Sequence, residues 1–397
     1  MKSIQSLSAL LGLLLLLAPA TLLAKKSAMS PHNITRIQQV MDAVISPDGH
    51  SIAYVKWVQS EPFKDADGSG WRELHVIRKD GKSRSYVQGD VKVRGIQWTP
   101  DGQGISFLTK RGSDKQNNLY VISLSGGEAE RVLTHSSGIS SYQWHPSGKK
   151  VAFLARSSTS KAKKALAKKG FKAEIYEEEL HNSQIWIADI AKDADSPRKL
   201  ALPGSVSAVH WSPNGKRLAC AVAPTALIDD HYMKRRIVVL DAKSGKIKGR
   251  INNPGKLGSI YWRPDGKQIA FLAGGDLNDP SAQRLMIADA AGGPMQDLMP
   301  ELKDGGVRGA AWLNNENMLC LVDHGVETNI TLLGLKGDAS VLINDGSGAL
   351  SHLSVDRKSG NFSVLSHTAA HAQELFSGNA TKGKLTRLTD SNPWLAD

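Results

Sequence analysis

The sequence is poor in cysteine, with only Cys220 and Cys320 among 397 residues. A disulfide-stabilised scaffold is therefore excluded, although an exported chain could still form one bridge. Aromatic residues make up only 6% of the chain, and 37 Gly and 16 Pro interrupt the apolar runs every few residues. These interruptions predict many short strands joined by turns.

The sequence also lacks the motifs of common active sites. No Gly-x-Ser-x-Gly nucleophile elbow occurs, since "GISSY" at Gly138 and "DGSGA" at Asp345 both fail that pattern. The 12 His residues are scattered, without a His-Glu-x-x-His or Cys-His cluster. No glycine-rich phosphate loop opens a helix. We therefore expect no catalytic residue, no metal and no cofactor in this chain.

One long apolar run is present, at the amino terminus. Lys2 precedes an apolar core from Leu7 to Leu17, and small residues that include Ala20 and Ala24 follow it. This pattern predicts a signal peptide over residues 1–24 and export to the bacterial periplasm or the medium. An uncleaved membrane anchor is the alternative, but the run is short for a span. After cleavage we expect no stable membrane span.

The chain carries a net charge of +12, and part of it is locally concentrated. The segment "KAKKALAKKGFK", residues 161–172, has six Lys and no acidic residue. Export argues against nucleic acid as the partner of this charge. A solvated cationic face is one interpretation, and attraction to an anionic envelope surface is the other.

A turn that contains Pro and Gly recurs along the chain. It reads "SPDG", "TPDG", "HPSG", "SPNG" and "RPDG", and its glycines are Gly49, Gly102, Gly148, Gly215 and Gly266. Their separations are 53, 46, 67 and 51 residues, and weaker copies follow around Asn315 and Gly360. Seven such units fill residues 31–391, which indicates a repeat architecture.

Each unit reads as four short antiparallel strands, and the first strand ends in Trp in five of the units. This repeat predicts an all-β fold, a seven-bladed β-propeller of four-stranded antiparallel blades. The tryptophans are predicted to pack between blades: Trp98, Trp144, Trp211, Trp262 and Trp312. No strand is left over to complete a mixed blade, so we expect the ring to close by blade packing alone.

Three segments carry a resemblance to a known family: "MDAVISPDGHSIAYV", "KKALAKKGFKAEIYEEELHNSQIWIADI" and "LTRLTDSNPWLAD". They resemble the propeller of the prolyl oligopeptidase (S9) family of serine peptidases, most of all its exported acylaminoacyl peptidases and dipeptidyl aminopeptidases. In that family an α/β-hydrolase domain with a Ser-Asp-His triad follows the propeller. The resemblance implies that residues 392–397 begin a linker toward a catalytic domain that this chain lacks.

The longest interval, between Gly148 and Gly215, contains extra sequence rich in Ala, Lys, Leu and Glu. It predicts a helical insertion in blade 3. In dipeptidyl-peptidase members of the family, a glutamate pair on a propeller insertion captures the free amino terminus of the substrate. Glu177, Glu178 and Glu179 resemble that pair, and a solvated helix face is the alternative. On a helix only two neighbours would converge, because consecutive side chains point about 100° apart.

Two functions remain open from the sequence. The first is the non-catalytic propeller of an exported S9-family peptidase, which gates or binds peptides and works with a separately encoded hydrolase domain. The second is a stand-alone TolB-like periplasmic propeller that binds a protein of the cell envelope. The fold cannot separate them, because function resides in sites placed on a fold.

The repeat places Cys220 and Cys320 in equivalent strands of the fourth and sixth blades, with a whole blade between them. Their Cα atoms should lie far beyond the roughly 7 Å that a disulfide tolerates. We predict that the oxidised, purified chain keeps both thiols free. A loss of two hydrogens from the mass of the intact monomer would contradict the blade assignment.

Overall fold

The computed structural model describes residues 28–396 except 192–194, 279–280, 345 and 347. Within these residues, 28 strands form seven antiparallel sheets, and each sheet consists of four consecutive strands. The predicted all-β, seven-bladed propeller of four-stranded blades is confirmed. The predicted signal peptide, residues 1–24, lies outside the described residues.

The blades follow one another along the chain, and the first strand of each is the innermost. Blades 1 to 4 contain β1 (Gln39–Ile45), β2 (Ser51–Val58), β3 (Trp71–Arg78), β4 (Ser83–Val87); β5 (Arg94–Trp98), β6 (Gly104–Thr109), β7 (Asn118–Ser123), β8 (Glu130–Leu133); β9 (Ser141–Trp144), β10 (Lys150–Arg156), β11 (Ser183–Asp189), β12 (Arg198–Leu200); β13 (Ser205–Trp211), β14 (Arg217–Ala223), β15 (Arg236–Asp241), β16 (Ile247–Ile251). Blades 5 to 7 contain β17 (Leu257–Trp262), β18 (Gln268–Gly274), β19 (Gln283–Asp289), β20 (Met295–Asp297); β21 (Val307–Trp312), β22 (Asn317–His324), β23 (Glu327–Gly334), β24 (Ala339–Ile343); β25 (Ala349–Val355), β26 (Asn361–His367), β27 (Glu374–Asn379), β28 (Lys382–Arg387). The short helices are α1 (Pro31–Ile34), α2 (Lys161–Lys168), α3 (Ile228–Met233) and a 3-10 helix (Pro393–Ala396).

The recurring turn joins the first two strands of a blade. Its glycine has a φ of 69° to 72° in six blades, at Gly49, Gly102, Gly148, Gly215, Gly266 and Gly360. Blade 6 departs from this pattern, because its turn is one residue shorter. The residues that pair across the turn are Trp312 and Met318 in blade 6, and Trp211 and Leu218 in blade 4. The shorter turn around Asn315 contains no residue with positive φ, which explains why it needs no glycine.

The tryptophans join neighbouring blades, as predicted. Four of them donate the indole N–H to a backbone carbonyl in the first strand of the preceding blade: Trp98 to Val44 (3.0 Å), Trp211 to Gln143 (3.1 Å), Trp262 to His210 (3.0 Å) and Trp312 to Tyr261 (3.2 Å). Each of these four rings is buried. Trp144 instead donates to the Ser106 hydroxyl at 2.8 Å. The same contact thus recurs at four seams of the ring.

The ring closes where blade 7 meets blade 1, and no strand is shared there. The Gln38 amide donates to the Asn392 side chain at 2.8 Å, and that side chain donates back to the Gln38 carbonyl at 2.6 Å. The Val40 amide donates to the Gln373 carbonyl at 2.8 Å. Side chains of β1, β2, β26 and β27 form one buried cluster across this seam. Closure therefore rests on packing and hydrogen bonds between complete blades.

The strand order places the connections on two opposite faces. Strands alternate in direction within each blade, so the turns after the first and third strands share one face, the turn face. The connections after the second and fourth strands share the other, the loop face, together with both ends of the ring. The insertion of blade 3, residues 157–182, lies on the loop face because it joins β10 to β11.

Both cysteines are buried and free, in the second strands of blades 4 and 6. Burial raises the pKa of the Cys220 thiol and raises the pKa of Cys320 to about 12. Because the thiolate is the reactive form, neither side chain is a nucleophile near neutral pH.

Replacing Trp98 by Phe should destabilise the ring more than replacing Trp186 by Phe. Trp98→Phe removes the indole donor to the Val44 carbonyl, whereas the buried indole nitrogen of Trp186 has no hydrogen-bond partner to lose. We expect Trp98→Phe to lower the free energy of unfolding by about 1–3 kcal/mol more than the control. Urea unfolding followed by circular dichroism measures both values. Equal losses of unfolding free energy in the two variants would show that only the volume of the aromatic side chain matters at the seam.

Candidate functional site

The insertion of blade 3 begins with a short helix. The Ser160 side chain accepts from the Lys163 amide at 3.2 Å at the start of α2. At its end, Gly170 has a φ of 99°, and the amides of Gly170 and Phe171 donate back to Ala167 and Leu166, both at 3.1 Å. This is the glycine-dependent Schellman arrangement that terminates helices. The helix therefore stops at Lys168, before the glutamates that sequence analysis placed on it.

The three candidate glutamates lie in a turn after the helix. The Glu178 amide donates to the Ile175 carbonyl at 3.3 Å, and Glu177 has a φ of 63°. All three side chains are exposed. The expected spacing of about 100° between consecutive residues does not apply here, because it belongs to a helix.

A cleft of about 950 Å³ separates the insertion from the loop of blade 4. Glu177 and Glu179 line it, together with Glu174, whereas Glu178 does not. Residues 226–228, at the start of α3, form part of the opposite wall. The sequence does not predict this wall, because nothing in the loop of blade 4 distinguishes it from a solvent-exposed connection.

The cleft already contains an ion pair between a carboxylate and a primary ammonium. The Lys163 ammonium lies against the Glu179 carboxylate, and the side chains are 29% and 39% exposed, respectively. Among the described residues, Glu177 and Glu174 make no ion pair. Apolar side chains of Phe171, Ile175 and others complete the walls. The arrangement can hold a cation with an apolar neighbour.

The loop face carries most of the exposed large apolar side chains of the described residues. They occur in the connections of blades 1, 3, 4, 5 and 6: Phe63, Leu166, Phe171, Ile175, Tyr176, Leu180, Ile228, Tyr232, Leu277 and Val326. Ile34 in α1, next to the start of the ring, is also exposed. Such a concentration on one face is typical of a surface that contacts another protein or domain.

Other kinds of site find no support in the described part of the chain. No group of three or more His, Cys, Asp or Glu side chains is arranged to hold a metal ion. No helix there combines the length and the apolar character needed to cross a membrane.

Fold and cleft together define a seven-bladed propeller that closes without a shared strand and carries an insertion on its loop face. No family model matches the sequence. The chain is 30% identical over 115 residues to the uncharacterized peptidase YuxL of Bacillus subtilis, a match that covers 29% of this chain and 17% of that protein. It is 33% identical over 105 residues to dipeptidyl-peptidase 5 of Porphyromonas gingivalis, which covers 25% and 14%, respectively.

Solved structures match over nearly the whole chain. The puromycin-hydrolyzing peptidase of Mycobacterium tuberculosis superposes with a TM-score of 0.69 at 15% identity, over 92% of this chain and 56% of that one. The acylaminoacyl peptidase of Pyrococcus horikoshii gives 0.68 at 16% identity, over 92% and 55%. The β-propeller domain of the Trilobed protease from Pyrococcus furiosus, described as an open velcro topology, gives 0.60 at 16% identity, over 90% and 99%.

These matches confirm the resemblance at the level of the fold. The chain has the fold of the propeller domains of acylaminoacyl peptidases and of related prolyl oligopeptidases. It spans about 55% of the acylaminoacyl peptidase chain and less than a fifth of each curated peptidase.

Replacing Gly170 by Ala should loosen the insertion without unfolding the ring. No atom lies within 4 Å of an added Cβ, so the expected cost of about 1–2 kcal/mol comes from the positive φ alone. We expect trypsin to cleave the lysine-rich insertion at least about fivefold faster, while the urea midpoint stays unchanged. Gly275→Ala is the matched control, because that position has no positive φ and no close neighbour. An unchanged cleavage rate in Gly170→Ala would contradict the role of Gly170 in ending the helix.

Proposed function

We propose that this chain is the non-catalytic propeller of an exported peptidase of the prolyl oligopeptidase type. In this proposal the loop face receives short peptides and is covered by a hydrolase domain that cleaves them. The cleft of the insertion holds the free amino terminus of the peptide. The propeller contributes binding and access, and the nucleophile belongs to the other domain.

The observation that carries the proposal is the Lys163–Glu179 ion pair inside the cleft. A lysine side chain and a peptide amino terminus both present a primary ammonium group. Carboxylates bind such groups by charge-assisted hydrogen bonds, which are roughly twice as strong as neutral ones. Glu177 and Glu174 line the same cleft, so an entering ammonium would meet further carboxylates there, interspersed with the cations Arg156, Lys164 and Lys172.

The exposed apolar side chains of the loop face support the covering domain. They lie on the face where the ring begins and ends, so a domain joined to either end could reach them. The matched peptidases are longer than this chain, which superposes on only about 55% of two of them. Covering this face would leave the cleft open only to substrates small enough to pass between the two parts. Export of the protein rests on the signal-peptide pattern of residues 1–24.

The proposal predicts that Glu177→Gln/Glu179→Gln weakens the binding of a free-amine tripeptide. We expect a loss of about 1–3 kcal/mol, since two carboxylates leave the cleft. Isothermal titration calorimetry with Gly-Ala-Phe measures the affinity, and acetyl-Gly-Ala-Phe controls for contacts other than the ammonium. Glu178→Gln is the matched variant, because Glu178 belongs to the same turn and does not line the cleft.

A second variant tests the role of Lys163. Lys163→Met removes the competing ammonium and frees Glu179, so the free-amine tripeptide should bind several-fold more tightly. Equal affinities for free and acetylated peptides in every variant would reject the cleft as an ammonium site. Recovery of an envelope protein that binds the loop face, with no peptide binding, would instead favour the TolB-like scaffold.

A further inference from the structure

A second cleft, of about 480 Å³, lies on the turn face between blades 7 and 1. Five basic side chains line it: His50, Arg78, Lys79, Lys382 and Lys384. No Asp or Glu is among its lining residues. Blade 1 supplies the first three of these side chains and blade 7 the other two, so the cations Arg78 and Lys79 face two lysines across the closure of the ring.

The corresponding groove between blades 2 and 3 has the opposite character. It measures about 740 Å³ and is lined by Asp101, Glu128 and Glu130, with Lys149 as its single lysine. Each groove lies between two neighbouring blades, and equivalent turns of those blades form both grooves. The basic lining therefore does not follow from the blade geometry, and the overall charge of +12 is not spread evenly over the seams.

The basic side chains of this seam make no ion pair among the described residues, although the Asp356 carboxylate lies beside Gly49. Arg78 donates to the Tyr86 hydroxyl at 3.2 Å. The acids of the adjoining turns keep their charge but accept hydrogen bonds from their own backbone. Asp48 accepts from the His50 amide and Asp80 from the Lys82 amide, both at 3.0 Å. Like charges that face each other across the cleft repel, and an anion bound between them would be attracted to both sides.

The rest of the cleft holds the two blades in fixed positions. The Asn361 side chain of blade 7 donates to the Gly49 carbonyl of blade 1 at 3.2 Å. Asn379 donates to Asn361 at 2.8 Å, which orients that amide. Buried Phe362 lies beneath, and its ring would clash with any side chain at position 378. The basic side chains on both sides of the cleft are thus carried on strands and tight turns, not on long loops.

We propose that this cleft binds a phosphate-bearing polyanion that contacts Arg78 and Lys79 on one side and Lys382 and Lys384 on the other. Arginine pairs with phosphate through two parallel hydrogen bonds, and lysine acts as a point charge. A ligand that touches both blades binds only the closed ring, so it stabilises the fold by mass action. This site lies on the face opposite to the proposed peptide cleft and does not depend on it.

The test uses the mature chain at 0.15 M salt, where weak attraction between exposed charges is largely screened. One arm titrates inorganic tripolyphosphate and follows Tm and calorimetric binding. The other arm measures sedimentation with vesicles of phosphatidylglycerol, with phosphatidylcholine vesicles as the control. Lys79→Gln/Lys384→Gln removes one cation from each blade. Lys168→Gln/Lys169→Gln removes the same charge from exposed positions on the loop face.

Saturable binding in the first arm with a rise in Tm, weakened at least tenfold by Lys79→Gln/Lys384→Gln and not by the control pair, supports a soluble phosphate ligand. The same pattern in the vesicle arm assigns the phosphate to a lipid headgroup. Absence of binding in both arms would overturn the proposal. An equal loss in the two double variants would also overturn it, because net charge alone would then explain binding.

Discussion

The contact between the tryptophan of one blade and the backbone of the preceding blade is the interaction on which this architecture depends. A four-stranded sheet cannot bury its faces alone, and the indole is buried among apolar side chains of the preceding blade. At four of the seven seams its N–H also bonds to a backbone carbonyl of the preceding blade, which sets the position of one sheet relative to the other. At the closure Ile45 takes this place, and its amide donates to the Ser354 hydroxyl at 3.1 Å. The repeated geometry lets seven similar sheets complete a ring.

The two faces of the ring differ because they are built from different connections. Tight turns with a conformationally required glycine crowd the turn face, so little apolar surface is exposed there. The loop face tolerates long connections, because they leave the strand ladder intact. The insertion of blade 3 makes use of this freedom to place carboxylates beside apolar side chains. Under the proposed function, the carboxylates would contact the amino terminus of a peptide and the apolar groups its side chains.

Much of the fold was predictable because each blade repeats the same local chemistry. Pro and Gly at the turn, followed by an alternating strand, indicated the blades and their order. The helix of the insertion was predicted too long, because the propensity of its Ala, Lys and Glu residues outweighed the single glycine, Gly170, that ends it. The basic cleft was not predictable, since Arg78 and Lys384 are brought together only by ring closure. The wall at residues 226–228 was not predicted either, because nothing in that loop distinguishes it from a solvent-exposed connection.

The hydrogen-bonded pair of Gln38 and Asn392 brings the two ends of the ring together without a shared strand. Blade order around the ring is therefore independent of the blade at which the polypeptide starts. A short linker between residues 38 and 392, with the chain opened instead in the connection between β20 and β21, would give a circular permutant with every seam preserved. The same adjacency makes the ring suitable for insertion as a unit into a loop of a larger protein, since its first and last residues lie side by side.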